Sequence, residues 1–284
     1  MDDREWAKIP DIPADSFLID LEDSVPPPLK DAARTRAVAH LHDREHFGGR
    51  LQIARPNHLS TPWGRDDVIA FAEANVTCLA YPKLRSSDEL AELRELLQAH
   101  GADPDIFATI ETPGAVVDMA AIARSPKVVS LGLGIGDLSA EMAIPLNEPG
   151  GEINQLVAMP RASLTITAAA FDLHACDFAF APDLRDLADV RRRFESSRRF
   201  GFTMGATFYP PHVSVINEVF TPSAEELAKA DSVISAYQDA IERGSSATIS
   251  ADGRTILVHD FEKAMRLRRR AAAIAAATTP NTSE

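Results

Sequence analysis

The chain has 284 residues, 45% of them hydrophobic, and no low-complexity interior, which is the make-up of one large globular domain. A formal net charge of −13 argues against nucleic acid and against anionic membrane surfaces as partners. No apolar run is long enough to cross a bilayer and no signal segment opens the chain. Cys78 and Cys176 lie in apolar stretches without a CxxC neighbour, so they read as buried free thiols of a cytoplasmic protein.

Met1–Asp15 offers a short helical turn and no strand. From residue 16 to about residue 220, strand-like runs alternate with amphipathic helical ones. The expected strands are Phe17–Leu21, Leu51–Ala54, Thr77–Tyr81, Ile106–Ile110, Val128–Leu133, Asp177–Ala181 and Gly205–Tyr209. Between them the expected helices are Lys30–Leu41, Asp66–Ala74, Asp88–Ala99, Ala115–Ala123, Arg161–Leu173 and Leu184–Phe200. Ser86-Ser87-Asp88-Glu89 reads as a capping box. Regular βα alternation implies parallel strands with crossover helices, and acids at strand C-termini favour a TIM-type (β/α)8 barrel. Only seven strands are legible, so the expectation is a barrel of residues 1–220 lacking its first strand. A helix–hairpin–helix extension, 221–277, follows: a capped helix from Ser223 to about Glu242, a turn-rich Gly244–Gly253, and a basic helix Asp260–Ala277. It is expected to serve as a lid or an oligomer contact, and 278–284 as a disordered tail.

The strand ends carry the chemistry. Ile106–Ile110 runs into Glu111, and Val128–Leu133 runs through Gly134 and Gly136 into Asp137. Two carboxylates so placed suit Mg²⁺, which leaves its other positions to water and substrate oxygens. The plain alternative is that each acid caps the helix that follows it. Asp20, Glu22 and Asp23 crowd the end of the first strand, where repulsion calls for a nearby cation. Arg55 ends the second strand and can grip a substrate carboxylate with two prongs; its alternative is an ion pair with the Asp20–Asp23 cluster, a role Lys83 also fits. His212, after the last strand, reads as structural.

In this order the motifs resemble the citrate lyase β-subunit-like branch of the HpcH/HpaI aldolase superfamily. The resemblance rests on Ile19-Asp20-Leu21-Glu22-Asp23-Ser24-Val25 with Lys30 and Ala33-Arg34, then Arg55-Pro56-Asn57, Pro82-Lys83, Ile110-Glu111-Thr112, Gly136-Asp137-Leu138, and Gly201-Phe202 with Tyr209-Pro210 and Asn217. It implies a TIM barrel, commonly a trimer or hexamer, that cleaves or forms a C–C bond in 3-hydroxyacyl-CoA or related acids. It further implies Mg²⁺ on Glu111 and Asp137, Arg55 on the α-keto acid carboxylate, and Gly136 and Lys83 beside the substrate. Glu22 and Asp23 would hold metal-bound waters, and Lys30 and Arg34 would lie near the CoA phosphates unless simply solvated. Many such lyases take an acid–base Asp from a neighbouring subunit's C-terminal segment; here that position is Leu257, and Asp260 or His259 is the displaced candidate. Two other readings stay open: a degenerate member that binds a keto acid or partner, and a CoA-independent pyruvate-type aldolase. The latter usually brings a histidine base near the second strand, and residues 16–38 contain none.

Overall fold

The structure, a computed structural model, describes residues 3–149, 152–179, 181–250 and 253–278. The chain divides into two units, Met1–Ile216 and Asn217–Glu284. In chain order the first unit contains α1 (Asp3–Trp6), β1 (Ser16–Asp20), α2 (Lys30–His42), β2 (Leu51–Arg55), α3 (Gly64–Glu73), β3 (Cys78–Tyr81), α4 (Ser87–Ala99) and β4 (Asp105–Ile110). It continues through α5 (Pro113–Val117), α6 (Met119–Arg124), β5 (Val128–Leu133), α7 (Ile135–Glu141), α8 (Gln155–Ala170), β6 (His174–Asp177), α9 (Leu187–Phe200) and β7 (Met204–Gly205).

The seven strands are parallel and pair in strict sequence order, the winding of a TIM-type barrel; among the described residues this sheet has no eighth strand. Helices cover a parallel sheet on crossover connections, so its central strands are apolar on both faces. All four residues of β3 are buried, and in β4 and β5 only Asp105 and Val129 are partly exposed. Cys78 and Cys176 are free thiols in one buried cluster with Phe107, and burial pushes the Cys78 thiol up to about 12. At β1 the amino-terminal turn is tied down by aromatics: Trp6 stacks between His40 and His46, at 3.7 and 4.1 Å between ring centroids.

The sequence placed most elements within a residue or two. Three elements are corrected: α8 starts at Gln155 and not at Arg161, α9 starts at Leu187 and not at Leu184, and the sixth strand runs 174–177, not 177–181, so Asp177 ends it instead of opening it. The ladder stops there because β7 offers β6 only two partners, Met204 beside Cys176 and Gly205 beside Asp177. Likewise β7 is two residues long, because Thr207 and Tyr209 turn the chain through side-chain and backbone hydrogen bonds. Ala115–Ala123 is two short helices meeting at Asp118. The expected capping box at Ser86 does not form: Glu89 accepts from the Arg85 amide, and Ser86 makes no capping bond.

Two glycines allow close packing at the strand ends. A Cβ on Gly132 would sit 2.3 Å from the Phe107 ring. One on Gly134 would sit 2.5 Å from Glu111 Oε2, so only glycine leaves that carboxylate its place.

α10 (His212–Phe220) runs across the boundary between the units. The second unit then contains α11 (Ala224–Glu242), an antiparallel hairpin of β8 (Thr248–Ile249) and β9 (Thr255–Ile256), and α12 (Val258–Thr278). Here the capping box at Ser223 and Glu226 is formed in both directions, as its sequence indicates. The expected tail lies outside the described residues from 279 on, and Thr278 is the last residue of α12. No described helix is long and apolar enough to cross a membrane.

Candidate active site

The acids and bases singled out in the sequence converge where β1–β5 end. Parallel register sets Asp20 beside Arg55, whose Nε donates to Asp20 Oδ1 at 2.7 Å while Nη1 lies 3.3 Å from Glu22 Oε2. Arg55 Nη2 makes no hydrogen bond among the described residues. Burial opposes ionisation of Asp20, yet Arg55 and the Ser24 hydroxyl hold its carboxyl below the usual range. For Glu22 burial wins, and its carboxyl is raised. Arg55 therefore makes the ion pair expected as its alternative role through Nε and Nη1.

Lys83 follows β3 in the left-handed region, φ +53°, a conformation uncommon for a long side chain. Its amide donates to Glu111 Oε1 at 2.7 Å. Its ammonium lies 3.0 Å from Asp23 Oδ2, 3.0 Å from Asp137 Oδ2 and 3.6 Å from Glu22 Oε1. Burial works against that charge, but the surrounding carboxylates raise its pKa well above the ordinary lysine value.

Glu111, 3% exposed, ends up against Gly134 and the Lys83 amide. Burial pushes its carboxyl up to about 8; the Lys83 amide and ammonium oppose this, and Glu22 and Asp137 add to it. Asp137 stands on the first turn of α7, about half exposed. Neither acid is an N-cap. Thr112 caps α5 by accepting from Ala115, and Gly134 occupies the cap position of α7. Gly136 has open space where a side chain would point.

Lys30 departs from its expected exposure. It is 5% exposed, and its ammonium donates to Leu21 O, Glu22 O and Asn57 Oδ1 at 2.7–2.8 Å. All three donors are thus spent on holding the β1 and β2 loops together, which leaves none for a phosphate. The reading failed because a lysine at a helix start beside acids looks solvated in sequence. The missed partner is Asp67, fully buried, which accepts from Asn57 and from Arg34 Nε. Ten residues separate it from Asn57, and nothing local marks it. Arg34 is tied to Asp67 and Asp31. Beside this bracing lies a cavity of about 330 Å³ lined by Glu22, Asp23, Pro26, His58, Trp63 and Lys83, among others.

His212 is buried, with one ring nitrogen 3.1 Å from Thr207 Oγ1 and the other 2.7 Å from Leu184 O. Asp260, in the second unit, accepts from the Leu257 amide at the start of α12, with His259 Nε2 3.4 Å away.

Among the described residues no three His, Cys, Asp or Glu side chains form a ready-made metal cage. A hard cation such as Mg²⁺ needs less, since it accepts one or two carboxylates and keeps waters. The donors fit it: all are oxygens, five carboxylates (Asp20, Glu22, Asp23, Glu111, Asp137) face two cations, and Glu22 Oε1 is buried without a hydrogen-bond partner.

Comparison with known proteins gives the same direction. Residues 5–210 match the family model "HpcH/HpaI aldolase/citrate lyase". The chain is 28% identical over 275 residues to a (3S)-malyl-CoA thioesterase of Cereibacter sphaeroides, covering 96% of this chain and 92% of that protein. It is 26% identical over 251 residues to the citrate lyase β subunit of Leuconostoc mesenteroides, covering 86% and 81%. The crystal structure of CitE from Mycobacterium tuberculosis, in complex with magnesium, acetoacetate and coenzyme A, superposes with a TM-score of 0.77 at 25% identity, over 91% of this chain and 90% of that one.

Proposed function

This chain belongs to the HpcH/HpaI aldolase/citrate lyase family, and from that membership we propose that it is a Mg²⁺-dependent carbon–carbon lyase of the citrate lyase β-subunit-like type. Its substrate would be a 3-hydroxyacyl-CoA or related hydroxy acid, split into an acyl-CoA and an α-keto acid or aldehyde, or joined in reverse. The observation that carries the reading is the convergence of Glu111, Asp137, Glu22 and Asp23 on Lys83, with Arg55 beside them. The relatives named for malyl-CoA and citrate lyase chemistry, and the magnesium- and CoA-bound CitE, support it.

Glu111 and Asp137 would hold the metal, which when bound supplies Lewis-acid stabilisation of negative charge developing on a substrate carbonyl oxygen. Arg55 Nη2 and its neighbouring N–H groups would take the keto acid carboxylate, and the bonds from Asp20 and Glu22 fix the guanidinium plane so that the scissile bond is oriented. The Lys83 ammonium would lie beside the reacting carbonyl, and the cavity beyond Asp23 would receive the acyl thioester. The proton-handling group is proposed to be Asp260, on its chemistry alone. A homo-oligomer, trimer or hexamer, is part of the same reading. Leu257 at the family's usual Asp position favours a second reading, a keto-acid-binding member without turnover.

The test is calorimetric titration of oxaloacetate and glyoxylate with and without Mg²⁺, followed by assay of malyl-, citramalyl- and citryl-CoA. Mg²⁺-dependent binding with turnover supports the lyase; Mg²⁺-dependent binding without turnover supports the second reading. Absence of binding overturns both.

A further inference from the structure

Resting on the Mg²⁺ reading above, we propose that Lys83 is the resident cation of the metal-free site, displaced from Asp137 when the divalent cation enters and retained by Asp23. One residue contacts both carboxylates assigned to the metal. Its amide holds Glu111 Oε1 at 2.7 Å, and its ammonium lies 3.0 Å from Asp137 Oδ2. A left-handed backbone at Lys83 makes this double contact possible, turning the amide toward β4 while the side chain crosses the rim. The ammonium has a second anchor in Asp23, whose side chain is mostly exposed, and about a third of the lysine side chain is itself open to solvent. It can therefore swing outward without being desolvated or leaving every partner. A flexible ammonium with three rotatable donors suits such a placeholder better than a rigid guanidinium.

The site would be poorly balanced without it. Glu22 Oε1 is buried with no hydrogen-bond donor, and while Arg55 faces the other oxygen at 3.3 Å, the Lys83 ammonium 3.6 Å away is the charge on this one. Lys83 thus stabilises the metal-free fold and competes with Mg²⁺ for Asp137. A group that stabilises only the empty state lowers the apparent affinity of the ligand that replaces it. A purely architectural lysine has the opposite effect, since removing it loosens Glu111 and weakens metal binding.

The test compares wild type with Lys83→Asn and Lys83→Arg by Mg²⁺ calorimetry and thermal unfolding. Asparagine tolerates the left-handed backbone, so the amide contact to Glu111 is kept while the charge is removed. Lys83→Asn is expected to unfold at a lower temperature without Mg²⁺ and to bind Mg²⁺ about tenfold more tightly. Its deficit in unfolding temperature should close at saturating Mg²⁺, and Lys83→Arg should stay within about twofold of wild-type affinity. In wild type, Mg²⁺ should also speed acetylation of Lys83 by an amine-reactive succinimidyl ester, read by peptide mass. That readout decides the matter if Lys83→Asn does not fold. Unchanged or weaker Mg²⁺ binding by a folded Lys83→Asn overturns the proposal, as does labelling indifferent to Mg²⁺. If wild type binds no Mg²⁺ at all, the lyase reading fails with it. Wild-type binding with no gain in the variant defeats this inference alone.

Discussion

Of the strands that end near an acid, β4, β5 and β6 meet two different fates. Glu111 after β4 and Asp137 after β5 belong to a rim where carboxylates outnumber cations and part of the surface is open. Asp177, the last residue of β6, is 1% exposed and lies 2.8 Å from Arg161, itself buried, with Ser197 Oγ donating to the same oxygen at 2.6 Å. The first arrangement leaves negative charge unspent; the second is locally neutral and closed to solvent. An acid at a strand end becomes chemistry only when its neighbours fail to neutralise it, and otherwise becomes architecture.

The contrast breaks most visibly at Asp177. Asp177→Asn leaves the Arg161 charge buried without its partner and should cost about 3–5 kcal/mol of stability in denaturant unfolding, with Mg²⁺ affinity of the folded protein unchanged. Glu111→Gln should do the reverse. Unfolding free energy should hold or rise, because the folded chain no longer has to take up a proton that the unfolded chain has released, while lyase turnover and Mg²⁺ affinity fall about 100-fold. A stability loss at Glu111 or a metal effect at Asp177 would erase the distinction. Arg55→Lys keeps the charge but loses the planar fork, and should raise the KM for the hydroxy acid about tenfold with a smaller change in kcat.

The smallest effect is in pH. With its carboxyl near 8, Glu111 in the metal-free fold holds a proton that the unfolded chain, near 4.5, has released. Stability of the metal-free protein should therefore decline as pH rises from about 5 to about 8. Mg²⁺ should displace up to about one proton in that window and flatten the decline. Calorimetry in two buffers of different ionisation enthalpy checks the proton count.

Much of this was legible in the sequence because it was local. The β4 and β5 runs, the strand-end acids and the Ser223 capping box each lie within a few consecutive residues. What failed was settled at a distance. Lys30 is buried through Asn57, 27 residues away, and Asp67 joins the same brace from α3. β6 was misplaced because His174-Ala175-Cys176-Asp177 is short and starts on a polar residue, and its burial comes from pairing with β5 over Ser130–Leu133. The pairing of Arg161 with Asp177 crosses 16 residues and has no signature in either segment.

The contact of Gly134 with Glu111 has a consequence for how the site can evolve. Any single-base change that replaces glycine adds at least a Cβ, and that atom alone would stand 2.5 Å from Glu111 Oε2. Position 134 thus has no neighbouring amino acid to drift to, although it carries no reactive group. In a saturation library it should score as intolerant as Glu111 itself. Variants with new substrate preferences should then accumulate elsewhere, in the cavity walls around Pro26, His58 and Trp63.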